Sequence, residues 1–333
     1  MSNIFRVGVI GTGNRCLDIF KGINAVEAMT IAAVSDPCPE SIERAFSVLS
    51  YRPEVCESNA ALLKREDIDG IIVAAPNWLH MQLAKEVLDA GKPLYLEKPM
   101  AITAAQCEEI AAHAARKGGR MMVGMQLRYS DVYMKMKRLA DDGLVGDVKL
   151  LLFRALRNRF REGVGGWRLQ KAKSGGMILE VSVHQLDLFN WFAGAPIKKV
   201  AAFGGKDAIY QDGELLDNAL MLVEYENGVK ANLQAAVFTP QGADNTGLVV
   251  VGDRGTMYHT SDEIIVKRSD GDMIRYSTSG YGRMDENAMR GFKALVQEGK
   301  APLTSPCAGR DAVALGIFAE RAIEEGRIIF CGE

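Results

Sequence analysis

The chain is expected to fold as a doubly wound α/β unit followed by an α+β unit built on a large, mainly antiparallel sheet. Three observations predict this. From Phe5 to Gly124, short apolar or β-branched runs alternate with amphipathic helical segments, the rhythm of parallel strands joined by crossover helices. From Val200 to Ser277 strands dominate, and turns such as Glu226-Asn227-Gly228 and Ser269-Asp270-Gly271 mark hairpins. At 333 residues the chain also exceeds the roughly 250 to 300 at which one core stops growing, so two domains are expected, 1–125 and 126–333.

Phe5 to Ile10 reads as the first strand. Gly11-Thr12-Gly13-Asn14-Arg15-Cys16 follows, then a helical pattern on Leu17, Phe20 and Ile23. In a strand-turn-helix of this kind Gly11 permits the tight turn. Gly13 lets the backbone approach a pyrophosphate, which the helix N-terminus holds. Cys16 stands at the third position of G-x-G-x-x-G, where a small residue serves helix packing. The second strand, Thr30 to Val34, runs to Ser35-Asp36, and Asp36 lies 25 residues after Gly11. An acid there accepts hydrogen bonds from the adenosine ribose and repels a 2'-phosphate, so NAD is preferred over NADP. Taken singly, each residue also has a plainer reading: a glycine turn without a ligand, and an aspartate capping the helix that follows.

Gly70 to Ala75 reads as a strand buried on both faces, after which Pro76-Asn77-Trp78-Leu79-His80 opens a helix with His80 in its first turn. Leu94 to Leu96 then leads into Glu97-Lys98-Pro99. Pro99 fixes its own φ and biases Lys98 away from helix, so the ammonium leaves the strand end in one direction. A helix from Thr103 to Lys117 and a strand Met121 to Gly124 complete this half. Beyond it come a helix Asp131 to Asp141, a strand Asp147 to Leu156, and closing helices Asp285 to Glu298 and Asp311 to Glu325.

A net charge of −2, with acidic and basic residues interspersed, gives no reason to expect nucleic acid or a membrane surface as partner. Six cysteines without C-x-x-C spacing argue against zinc and against a disulfide framework, and no metal is expected. The start, Met1-Ser-Asn-Ile-Phe-Arg, enters a strand with no leader pattern, and no run approaches the ~20 apolar residues of a span, which points to the cytoplasm.

A second chemical stretch runs from Gly165-Gly166-Trp167-Arg168 through Ser174-Gly175-Gly176 to Glu180 and His184. A helix beginning near Glu180 sets residues 180, 184, 187 and 188 on one face, a carboxylate beside an imidazole. A lysine in a fixed turn and a Glu-His pair are what hydride transfer at an alcohol carbon requires: one group to move the hydroxyl proton, another to stabilise the alkoxide. A buried histidine satisfied by its helix neighbour is the structural alternative.

The combination resembles the glucose-fructose oxidoreductase, inositol dehydrogenase and MocA-like family of NAD(P)-dependent oxidoreductases, over nearly the whole chain. The residues that carry the resemblance are Gly11-x-Gly13 with Asn14-Arg15, Asp36, Ala75-Pro76-Asn77-x-x-His80, Glu97-Lys98-Pro99, Arg128-Tyr129, and Ser174-Gly175-Gly176 with His184-x-x-Asp187. The resemblance implies a Rossmann domain and a cofactor site formed by Gly11, Thr12, Gly13, Asn14, Arg15, Asp36, Pro76, Asn77, His80, Glu97, Lys98 and Gln126. It implies Lys98 as catalytic lysine, His184 as acid/base and Glu180 as orienter, where most members have aspartate. Ser182 replaces a usual glycine. Arg128, Trp167 and Arg168 are implied on the substrate side, and Asp187 is read as structural. Lys98 and His184 are expected on either side of the nicotinamide.

The expected activity is oxidation of a secondary alcohol on a sugar, inositol or related polyol with NAD. A glycosidase or lyase working through transient sugar oxidation and a non-enzymatic NAD-binding regulator remain as alternatives. Ala219, Met221 and Val223 alternate with Leu220 and Leu222, giving the second sheet an apolar outer face. In similar proteins such sheets pack into homodimers or homotetramers.

Overall fold

The computed structural model describes residues 4–240 and 247–332; of the start of the chain, Met1 to Asn3 lie outside the described residues. The chain divides into two compact units, Met1–Tyr129 with Arg283–Arg310, and Ser130–Gly282 with Asp311–Glu333. The return of Arg283–Arg310 to the first unit has no signal in sequence order.

In the first unit β1 (Phe5–Ile10), β2 (Met29–Ser35), β3 (Glu54–Val55), β4 (Gly70–Val73), β5 (Leu94–Glu97) and β6 (Met121–Gly124) form one parallel sheet in the order β3-β2-β1-β4-β5-β6. Every residue of β4, β5 and β6 is buried, because crossover helices cover both faces of a parallel sheet. The chain winds outward from β1 in both directions, so β1 and β4 flank the switch point, where doubly wound sheets open a crevice at their carboxyl ends. Helix Ala104–Arg116 begins where Thr103 Oγ1 accepts the Gln106 N–H at 3.2 Å, a cap worth about 1 kcal/mol. Phe292, on the returning helix Met284–Glu298, stacks edge-to-face on Phe5 and Tyr95 with ring centroids 5.9 Å apart in both pairs. The return thus completes this unit's core.

In the second unit β7 (Val148–Leu156), β8 (Ile197–Gly205), β9 (Asn218–Tyr225), β10 (Lys230–Ala236), β11 (Gly247–Gly252), β12 (Gly255–His259), β13 (Glu263–Arg268), β14 (Met273–Ser277) and β15 (Ile329–Phe330) form a sheet in the order β14-β13-β12-β11-β7-β10-β9-β8-β15. Its pairings are antiparallel except β7 with β10. Along β9, Ala219, Met221, Val223 and Tyr225 are buried, and Tyr225 donates to Asn190 on helix Val183–Ala193 at 2.8 Å. Leu220 and Leu222 face outward at 54% and 58% exposure, with Phe203 opposite Leu220 at 78%. That pattern is the period of two that the sequence shows. No helix among the described residues is long and apolar enough to cross a membrane.

Candidate active site

The first unit gathers its candidates at the carboxyl ends of β2, β1, β4, β5 and β6, which are neighbours in that order. Gly11 ends β1 with φ +86°, and a side chain there would meet the Ala74 carbonyl carbon and oxygen at 2.9 Å and the Ala75 nitrogen at 2.8 Å. Glycine is required on both counts. A side chain at Gly13 would meet nothing within 4 Å, so the turn is open on that side. Thr12 is buried, and its hydroxyl has no hydrogen-bond partner among the described residues. Open space, an unpaired hydroxyl and the N-terminus of helix Asn14–Asn24 fit a pyrophosphate. Cys16 is accommodated: its thiol is buried and donates to the Gly11 carbonyl at 2.9 Å.

Asp36 lies beyond the end of β2. One carboxylate oxygen accepts the Thr12 N–H at 2.6 Å and the other the Cys38 N–H at 2.8 Å, so the acid pins the glycine turn to the neighbouring strand end. Asn77 is buried in the 3-10 turn after β4, with Pro76 preceding it. His80 is fully buried; Nδ1 lies 2.7 Å from the Pro99 carbonyl and Nε2 2.9 Å from that of Ala75. The ring therefore braces the end of β4 against Pro99.

At the end of β5, Glu97 is 3% exposed and its carboxylate is held from several sides. Arg15 Nε donates at 3.0 Å, Gln126 Nε2 at 2.6 Å and the Lys98 N–H at 3.1 Å. Gln126 also reaches the Tyr95 hydroxyl at 3.2 Å, and a side chain at Gly124 would strike this group. Burial raises the Glu97 carboxyl above its ordinary range, while Arg15 and Lys98 pull it back. Burial opposes the Arg15 charge, but Glu97 and Asp285 outweigh it and hold the guanidinium more firmly protonated than usual. Asp285, from the returning segment, is paired with Arg15 directly. Arg15 and Gln126 thus turn their side chains toward Glu97. Lys98 is half-buried where the chain leaves this knot, before a cis bond to Pro99. Arg128 is buried and donates to the Leu303 carbonyl at 3.0 Å.

In the second unit the segment around Glu180 corrects the sequence expectation. Ile178–Ser182 is a turn of π-helix, and regular helix begins only at Val183. The wider turn alters the angle between Glu180 and His184 relative to an α-helical i, i+4 pair; π-turns of this kind recur at functional sites. Gly176, at φ +93°, precedes it, and a side chain there would collide with the Glu320 carboxylate. Glu180 is 8% exposed and pairs with Arg168 Nε at 3.0 Å. The Arg168 guanidinium also stands 5.1 Å from the centroid of the buried Trp167 ring. The structure therefore brings Glu180, Arg168 and Trp167 together, with half-buried His184 one turn further along the helical run. Asp187 is fully buried, and Ser182 is buried with its hydroxyl unpaired among the described residues.

Sequence reasoning gave no role to Asp285 or to the Tyr95 hydroxyl. Asp285 meets Arg15 across 270 positions, and only a fold carries that information. Among the described residues no cluster of three or more His, Cys, Asp or Glu could hold a metal ion.

Comparison with known proteins agrees with the two-part fold. The description "Oxidoreductase family, NAD-binding Rossmann fold" matches residues 5–125, and "GFO/IDH/MocA C-terminal domain" matches residues 133–258. The chain is 29% identical to inositol 2-dehydrogenase 1 of Saccharopolyspora erythraea over 269 residues, 80% of this chain and 77% of the relative. It is 26% identical to inositol 2-dehydrogenase of Gluconacetobacter diazotrophicus over 251 residues, 75% and 72% of the two chains. A levoglucosan dehydrogenase solved with NADH and levoglucosan superposes with a TM-score of 0.86 at 17% identity, covering 99% of this chain and 100% of that one. Matched in both its Rossmann and its sheet-bearing parts, the protein belongs to the GFO/IDH/MocA family of oxidoreductases.

Proposed function

We propose that the protein is an NAD-dependent dehydrogenase that moves hydride between nicotinamide and a secondary alcohol of a sugar, inositol or related polyol. The observation that supports it most is the row of strand ends in the first unit. Gly11-Thr12-Gly13, Asp36, Pro76-Asn77, Glu97-Lys98 and Gln126 follow adjacent strands at one carboxyl edge, where doubly wound sheets receive their ligands. The named inositol dehydrogenases among the relatives fit that substrate class.

In this reading the backbone from Gly11 to Asn14 holds the pyrophosphate, Asp36 the adenosine ribose, and Pro76 and Asn77 line the way toward Lys98. The bound nicotinamide supplies the hydride acceptor. His184 takes the hydroxyl proton; Lys98 stabilises the alkoxide and passes the proton on; Glu180 orients the imidazole or the substrate. Trp167, Arg168 and Arg128 serve the substrate side. Arg15, Gln126 and His80 act one step back, fixing Glu97 and Pro99 and hence the direction in which Lys98 leaves the sheet.

The test is a panel of polyols, sugars and glycosides offered with NAD and with NADP separately, following NAD(P)H and cleavage together. The expected result is net NADH from polyols or sugars and slower turnover with NADP, because a carboxylate at Asp36 repels a 2'-phosphate. Glycoside cleavage without net NADH would instead mark the transient-oxidation reaction, and NAD binding without turnover of anything a regulator.

The outward face of β8 and β9 supports a homodimer, or a homotetramer built from it, since Phe203, Leu220 and Leu222 form an exposed apolar patch. Replacing Leu220 and Leu222 together by Lys is expected to lower the mass seen by sedimentation to that of one chain. An unchanged mass would remove this face from the assembly.

A further inference from the structure

The loop joining β8 to β9, residues 206–217, is organised by one side chain. Asp217 is fully buried, and its carboxylate accepts four consecutive backbone N–H groups: Oδ1 takes that of Asp207 at 3.1 Å, and Oδ2 those of Ala208, Ile209 and Tyr210 at 2.8, 2.9 and 3.3 Å. Asn218 Nδ2 adds a bond to Oδ1 at 3.0 Å. Within the loop Lys206 Nζ donates to the Gly213 carbonyl at 2.6 Å. Bonds to an ionised group are the stronger ones, so a carboxylate engaged through both oxygens fixes the path of the chain around it.

What this loop holds is the stretch that carries Trp167 and Arg168. The chain leaves the sheet at Arg157, whose N–H meets the Ala236 carbonyl at 3.0 Å, and residues 158–163 form neither helix nor strand. Tyr210 is buried against them: its ring lies 5.9 Å from the Phe160 ring, centroid to centroid, and the Arg159 guanidinium stands 5.4 Å from its centroid. Arg159 pairs in turn with Glu162 at 2.8 Å, and the Glu162 carbonyl accepts the Arg168 N–H at 3.0 Å. Glu214 accepts the N–H of Lys171, the first residue of helix Lys171–Ser174, at 2.9 Å. One loop thus grips the stretch both before Trp167 and after Arg168. Between the two grips the Trp167 indole packs so closely on Gly163, at φ +77°, that a side chain there would collide with it, and Arg168 meets Glu180 at 3.0 Å.

We propose that Tyr210 and Glu214 are positioning residues of the substrate side, holding Trp167 and Arg168 in place from both ends, and that Asp217 anchors the loop that carries them. The inference rests on the reading of Trp167, Arg168 and Glu180 as substrate-side residues. An irregular segment has many conformations, and two fixed points in it remove most of them before substrate arrives. Loosening either grip therefore weakens substrate binding. Because Trp167 and Arg168 are read as binding residues, the loss falls on KM more than on kcat.

The test compares Asp217→Asn, Tyr210→Leu and Glu214→Ala with Val223→Ala, a buried change within β9. Asparagine cannot accept through its NH2 group, so it cannot serve the N–H groups on both oxygens of Asp217. The panel of polyols and sugars above, with myo-inositol, D-glucose and levoglucosan among them, is offered with NAD, and kinetics are followed on the compound that the parent turns over fastest. The three loop variants should raise KM about fivefold or more, with kcat within about threefold and NADH affinity within about twofold. Asp217→Asn combined with Tyr210→Leu should add little to the larger single effect, since both act on one grip. Hydrogen exchange of residues 158–170 should quicken in the same variants. Val223→Ala should lower the melting temperature and leave KM unchanged. If Asp217→Asn does not fold, the change at exposed Glu214 still decides. An unchanged KM in the folded loop variants, even with faster exchange, or an equal rise in Val223→Ala, overturns the inference while the parent's turnover keeps the dehydrogenase. No turnover of any panel compound by the parent overturns the function proposed above and this inference with it.

Discussion

Replacing Lys98 by Ala is expected to lower kcat by about 100- to 10,000-fold, the range typical of losing a positioned proton-transfer group. NADH affinity, followed by fluorescence titration, should change by no more than severalfold, because the proposed cradle lies in the backbone from Gly11 to Asn14 and in Asp36. Lys98→Arg adds a finer test: it keeps a cation but cannot release its proton near neutral pH. If the side chain shuttles a proton, the arginine variant stays nearly as slow as the alanine one. If charge alone matters, it recovers much of the rate. Near-normal turnover in Lys98→Ala would remove the residue from the chemistry.

The second large effect is expected from Arg15→Leu, and it is one of stability. Glu97 is almost fully buried and Arg15 is the guanidinium bonded to it, so removing the cation leaves a buried carboxylate without its main counter-charge. Breaking a buried pair in this way costs about 3–5 kcal/mol. The effect has a definite pH dependence. The Glu97 carboxyl is already raised above 4.5 by burial, and losing Arg15 raises it further. A folded state that binds its proton more tightly than the unfolded one is favoured in acid and loses that advantage as pH rises through the folded-state pKa. The deficit of Arg15→Leu relative to the parent should therefore be small near pH 4.5 and grow toward neutrality. Thermal melts at about pH 5 and about pH 8 measure it. The double variant Arg15→Leu with Glu97→Gln should recover most of the loss at the higher pH, and a deficit independent of pH and unrelieved by the second change would discard the buried-charge explanation.

Elements whose burial is local were legible from the sequence. The strand Phe5–Ile10 and the helix Asp131–Asp141 occupy the limits that their apolar periods indicate. The outward Leu220 and Leu222 follow from a period of two. What a period cannot carry is pairing between distant segments. Nothing near Asp285 marks it as the partner of Arg15, and nothing in β7 or β10 announces their parallel pairing. The π-turn at Ile178–Ser182 escaped for another reason: an added residue per turn leaves the apolar pattern over so short a span unchanged. At the candidate site the strand ends were legible, but the bonding partners of their side chains were not. The family resemblance implies Arg15, Gln126 and His80 as ligand contacts, and their place beside the strand ends does not say where each side chain turns. Whether such a side chain turns outward or back into the fold is settled by partners that only tertiary structure supplies.

The bonds made by Asp36 bear on any effort to redesign coenzyme choice. Its two oxygens fasten the amide groups of Thr12 and Cys38, so the residue that would be exchanged to admit a phosphorylated ribose is also the clasp that gives the glycine turn its shape. In the proposed function, coenzyme selectivity and loop geometry then depend on one carboxylate. Asparagine at this position keeps at most one of the two bonds, because its carbonyl oxygen accepts one N–H while its NH2 group cannot accept the other.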